Sequence, residues 1–155
     1  MPRNYRYKGG RVRAIEKEKK VVMSDWVHSL APWSVIAHHT FVWEASIWSA
    51  QKSFERFMRR TIPDVGYFYA IEENPSRDGH HVHALWANCD EVVRRDVWRK
   101  WFDRYGRSRI EPCRSREDVA GYCSKYVTKE EAWWNFKLDH QSWLHLRKEA
   151  KVWKN

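Results

Sequence analysis

The sequence predicts an α+β fold, one antiparallel β-sheet with its helices packed mainly on one face. Three observations carry that expectation. Tyr67 to Trp86 is aromatic and β-branched at both ends and breaks in the middle at a run of turn formers, the pattern of a β-hairpin. The segments on either side change to the three-and-four spacing of amphipathic helices, which gives the order strand, helix, hairpin, helix. A chain of 155 residues is also the length of a single domain able to bury its own core.

Taken in order, residues 1 to about 24 are basic, with Gly9 and Gly10 and little apolar content, and read as a flexible arm suited to phosphate contact. Trp33 to Trp43 follows Pro32 and reads as a first strand, in which His38 and His39 are expected to be packed or partly exposed rather than ligating. Ser46 is placed to cap a helix with Ile47, Ala50, Phe54, Phe57 and Met58 on its inner face, and Pro63 follows its end. The hairpin comes next: Tyr67–Glu73, the turn Asn74–Gly79, then His80–Trp86. Asp90 is the expected cap of a second helix with Val93, Val97, Trp101 and Tyr105 inward, Gly106 as its stop, and Arg94, Arg95, Arg99, Lys100 and Arg104 outward. Ser108–Pro112 reads as a short strand, and Ser115 to Asp118 has capping-box form and should open a third helix. Residues 130–155, rich in Trp, are expected to be a helical extension of the same domain. With a strand between the last two helices, this order matches a ferredoxin-like or RRM-like sheet.

Charge narrows the partner. The formal net charge is +9, the pI near 9.6 and the aromatic fraction 15%, a balance suited to a polyanion. No long apolar run argues for a membrane span, and no leader pattern opens the chain. Cys89, Cys113 and Cys123 are odd in number and lack Cys-x-x-Cys spacing, which disfavours a disulfide framework or zinc knuckle and favours a reducing, intracellular setting. Most of the 11 Trp residues are expected in the core, with exposed ones as candidate stacking platforms for bases.

Alternate residues of a strand share a face, so His81 and His83 point one way and His80 and Val82 the other. A carboxylate ending the preceding strand, Glu72 or Glu73, would sit beside them and complete a mixed nitrogen–oxygen metal site with room for a substrate oxygen. On the third helix Tyr122 and Tyr126 share a face, with Lys125 three residues from Tyr122. A phenol titrates near pH 10. It becomes a nucleophile for phosphorus when an ammonium stabilises the phenolate and a cation neutralises the phosphoryl oxygens.

His81-Val82-His83 after an acid-ended strand, with Tyr122-Cys123-Ser124-Lys125-Tyr126 on a later helix, resembles the HUH endonucleases, and more narrowly the rolling-circle replication initiators. Ala37-His38-His39-Thr40-Phe41 stands where that family's first motif falls, so the resemblance runs from about Trp33 to Lys129. It implies sequence-specific nicking and rejoining of single-stranded DNA through a 5′-phosphotyrosine. It also implies Mg²⁺ or Mn²⁺ held by His81, His83 and an acid. The family's spacing, an acid eight residues before the first histidine, selects Glu73. Tyr122 is the implied nucleophile, Lys125 its helper and Tyr126 a second phenol or a core residue. Thr40, Arg94, Arg95 and Arg99 are the expected DNA contacts.

Two other functions fit part of the pattern. A small transposase of the same superfamily lacks the acid at that spacing and the Lys-Tyr after the nucleophile. A non-catalytic single-strand binder with an RRM-like sheet would use the charge and the aromatics but gives no reason for His81 and His83 to meet an acid. The expected partners are origin DNA, presented as a hairpin, and a helicase and polymerase of the host or virus. The expected compartment is the cytoplasm for a bacterial or archaeal plasmid or phage, and the nucleus for a eukaryotic virus.

Overall fold

A computed structural model describes residues 22–126 and 133–152, with 123–126 and 150–152 traced as backbone only. The elements are a helix over residues 22–30 (α1), β1 (Val35–His39), α2 (Ile47–Thr61), β2 (Gly66–Glu73), β3 (His80–Ala87), α3 (Arg94–Arg104), β4 (Ser108–Pro112), α4 (Arg116–Tyr126), β5 (Trp133–Lys137) and α5 (His140–Val152). The strands form one sheet in the order β4-β1-β3-β2-β5, and every neighbouring pair is antiparallel. The first four strands have the ferredoxin-like arrangement, because β2 and β3 form a hairpin and β3 inserts between β1 and β2. The expected fold class is thus the observed one.

Local chemistry explains the boundaries. The Ser46 hydroxyl accepts from the Ser49 amide at 3.0 Å and starts α2, whose Ala50, Phe54, Phe57 and Met58 are buried. Each of the large side chains among them gains about 1.5–3 kcal/mol from leaving water. In α4, Ser115 Oγ accepts from the Asp118 amide and Asp118 Oδ2 accepts from the Ser115 amide, both at 3.2 Å, the reciprocal pair the capping box requires. Asp90 does not cap α3. The cap position is Val93, which makes no side-chain cap bond and is exposed, while Val97, Trp101 and Tyr105 are buried as expected.

The sheet divides two cores. Val35, Ala37, Tyr67, Tyr69, Ile71, Val82, Ala84 and Trp86 face α2 and α3. On the other face, Phe68, Leu85 and Ala87 meet Val27 and Leu30 of α1, Val119 and Tyr122 of α4, and Leu146 of α5. That second face is therefore covered by helices too, but only over the β2 and β3 ends that carry Gly66–Phe68 and Leu85–Ala87. The candidate site lies at the hairpin end of the same face.

Two segments differ from their expected state. Residues 22–24, assigned to the basic arm, are helical, and residues 1–21 lie outside the described residues. Trp133–Lys137, expected within a helical extension, is a strand that pairs with β2 and lays Trp134 and Phe136 over Phe68, with ring centroids 5.5 and 6.4 Å away. Stacking those rings on Phe68 of the neighbouring strand outweighs any local helical preference. Among the described residues no helix is long and apolar enough to cross a membrane.

Candidate active site

The hairpin brings the donors together. Its closing pair is Glu73↔His80, so Glu72 is the direct partner of His81, and Ala70 of His83. Side chains of directly opposed residues share a face in an antiparallel pair. Glu72 Oε2 accordingly lies 3.6 Å from Nε2 of His81 and 3.6 Å from Nε2 of His83. Glu73 stands one residue along, exposed and paired with His80, whose Nδ1 meets the Ala45 carbonyl at 2.8 Å, and it also lines the cleft that holds His81 and His83. Spacing selects Glu73, whereas strand register brings the carboxylate of Glu72 beside the two hairpin histidines.

A third imidazole joins them from β1. His38 pairs with His83 across the sheet, and their rings stack at 4.4 Å with 16° between planes. One ring nitrogen from each of His38, His81 and His83 lies within 4.8 Å of the other two, a group that could hold a metal ion. His38 is half-buried and packed on His83, as the sequence leads one to expect, and its ring also joins the cluster. Alternation in β1 was the available signal: with Ala37 and His39 in the core, His38 must face the hairpin histidines.

Burial disfavours the charged form of His81 and His38. Burial lowers the pKa of His81 to about 4, aided by the charges of His38, His80 and Arg77. Burial, then the guanidinium of Arg109, lowers that of His38. His81 Nδ1 lies 3.0 Å from Asn74 Oδ1. An oxygen there requires the Nδ1 proton, which leaves the Nε2 lone pair directed into the cluster, 2.9 Å from His83 Nε2. Neutral nitrogens with inward lone pairs and one carboxylate fit a divalent cation.

Two clefts meet at His38 and His83. One, of about 390 Å³, runs past Thr40, Glu72 and the turn residues Asn74 to Arg77. The other, of about 360 Å³, is lined by Arg109, Glu111, Glu117 and Tyr122. Larger clefts of about 540 and 580 Å³ lie away from the histidines and carry no comparable donor set. Tyr122 is buried in the wall of α4, and its hydroxyl donates to the His83 carbonyl at 2.5 Å. The side chains of Lys125 and Tyr126 lie outside the described residues. Thr40 is pinned to the Arg107 carbonyl by its amide at 2.8 Å and its hydroxyl at 3.0 Å, so it shapes the cleft wall beside His38.

Arg94, Arg95 and Arg99 are exposed on α3, which packs on the sheet face opposite the histidines. They are not brought to the clefts. The guanidiniums at the site are those of Arg109, the cross-strand partner of His38, and Arg77 in the hairpin turn. Among known families, the model described as replication-associated protein ORF2/G2P matches residues 39–131, more than half of the chain. No curated protein and no solved structure matches.

Proposed function

We propose, for a chain that belongs to the replication-associated protein ORF2/G2P family, that it nicks and rejoins single-stranded DNA at a replication origin through a covalent bond to Tyr122. One observation carries this reading. The phenol hydroxyl rests on the backbone carbonyl of His83, a residue whose ring belongs to the metal-competent cluster, so nucleophile and cluster meet at a single residue.

In the proposed step the Tyr122 hydroxyl leaves the His83 carbonyl and loses its proton, and the phenolate oxygen bonds to phosphorus. The P–O3′ bond breaks and the 3′ oxygen takes up a proton. One phosphodiester is exchanged for another, so attack by the 3′ hydroxyl rejoins the strand. A divalent cation held by the histidines and Glu72 would neutralise charge on a phosphoryl oxygen. Asn74 holds the His81 ring in the receiving tautomer. Arg109, exposed and paired with Glu111 at 2.8 Å, is the guanidinium in the cleft that holds Tyr122, where a strand phosphate would compete for it. Lys125 is the proposed partner of the phenolate and Tyr126 the proposed second phenol. A separate helicase and polymerase would extend the freed end.

The test is incubation with a library of short single-stranded DNAs and Mn²⁺, read on denaturing gels. A slower band that survives boiling in detergent and is absent for Tyr122→Phe is the expected result. Binding without any such band across the library would leave a non-catalytic single-strand binder.

A further inference from the structure

The resemblance to replication initiators implies two histidines and an acid, yet β1 adds a third imidazole, and the family match begins one residue after it. His38 Nε2 is buried and has no hydrogen-bond partner among the described residues. A buried polar nitrogen left unpaired is destabilising. That cost is tolerated here beside two other imidazoles and a carboxylate, in a cleft, where a cation would remove it.

We infer that His38 is a metal ligand, and that the resulting set of three imidazoles and Glu72 selects a borderline transition metal, of the Co²⁺ or Zn²⁺ class, over Mg²⁺. Imidazole is a good ligand for the late first-row ions, whereas Mg²⁺ favours oxygen donors and retains its waters. Three nitrogens to one carboxylate oxygen tilt the balance against Mg²⁺. The ring stack of His38 on His83 fixes the third donor without a loop having to close. The inference rests on the hairpin residues being a metal site at all, and the test separates the two claims.

Metal-free protein is titrated with Co²⁺, followed by the visible d–d absorption and by calorimetry, and then challenged with excess Mg²⁺. Wild type, His38→Gln, His38→Ala and His81→Ala are compared, with circular dichroism to establish that each is folded. The expected result is Co²⁺ binding by wild type that a hundredfold excess of Mg²⁺ does not displace. Both His38 variants should bind at least tenfold more weakly, with an altered absorption band and a smaller Co²⁺ to Mg²⁺ preference. If the His38 variants match wild type while His81→Ala loses binding, the metal site stands and the role of His38 is overturned. Displacement of Co²⁺ from wild type by Mg²⁺ at that excess overturns the selectivity. No binding by wild type overturns both claims.

Discussion

The phenol of Tyr122 donates its proton to the backbone carbonyl of His83 at 2.5 Å, across 39 residues of chain. A helix residue is thereby tied to the backbone of the strand whose side chain enters the donor cluster. Tyr122→Phe removes the hydroxyl but keeps the ring among Phe68 and the other buried residues of that core. The covalent DNA adduct should vanish while DNA affinity stays within about twofold. Loss of one buried hydrogen bond should lower stability by about 1–2 kcal/mol, read by urea unfolding. Retained adduct in the variant would assign the chemistry to another nucleophile.

Glu72→Gln and Glu73→Gln distinguish register from spacing. The first removes the carboxylate 3.6 Å from both hairpin imidazoles and should weaken metal binding tenfold or more. The second pairs with His80 and not with either hairpin histidine of the cluster, and should bind like wild type. Calorimetric titration with Mn²⁺ decides, and a reversed order would show that the hairpin pairs differently in solution.

Asn74→Ala should weaken metal binding about tenfold, as loss of a ligand's supporting hydrogen bond commonly does. His81 would then be free to place its proton on either nitrogen. NMR of the imidazole nitrogens should show His81 moving from one tautomer to a mixture. An unchanged tautomer would mean that Asn74 is not what fixes it.

His39 gives the stability a pH dependence. It is fully buried, and burial, with the charge of His38, lowers its pKa from 6.5 to about 3. Between those values the unfolded chain binds a proton that the folded chain refuses, so stability rises with pH there and is lost as pH falls from about 6.5 towards 3. Each unit in that window removes up to about 1.4 kcal/mol. Melting temperatures of metal-free protein should fall steadily below pH 6.5, and less steeply for His39→Gln. Equal slopes would locate the proton elsewhere.

Arg109→Ala should weaken single-strand binding and reduce the salt slope by about 0.7, the value for one phosphate contact on a single strand. Arg94→Ala and Arg95→Ala, on the far side of the sheet, should leave the slope unchanged. Binding measured by fluorescence anisotropy at several salt concentrations separates the two faces. A loss confined to the α3 variants would move the strand to that face.

Much of the scaffold could be read in the sequence because its signals are local. Ser46, the turn from Asn74 to Gly79, and the Ser115–Asp118 box each act within a few residues, and each element they announce is present. What was hidden depends on partners far along the chain. Choosing between Glu72 and Glu73 needs the pair that closes the hairpin, and choosing between His38 and His39 needs the face on which β1 meets the core. Trp133–Lys137 shows the same limit, since only pairing with β2 makes it a strand. For Arg94 and Arg95, an outward position on a helix gave no information about which side of the sheet that helix covers.

Adjacent residues of β1 do opposite work. His39 packs between Trp86 and Trp101, with its Nδ1 2.8 Å from the Ser108 hydroxyl, while His38 faces the cleft. A slip of β1 by one residue would exchange the two imidazoles, turning His38 into the aromatic interior and breaking the contacts of His39. The hydrophobic interior thus acts as a gauge for the donor cluster. A chain with its histidines at the wrong address is also a chain with a broken core, and only correctly folded molecules would present the third imidazole.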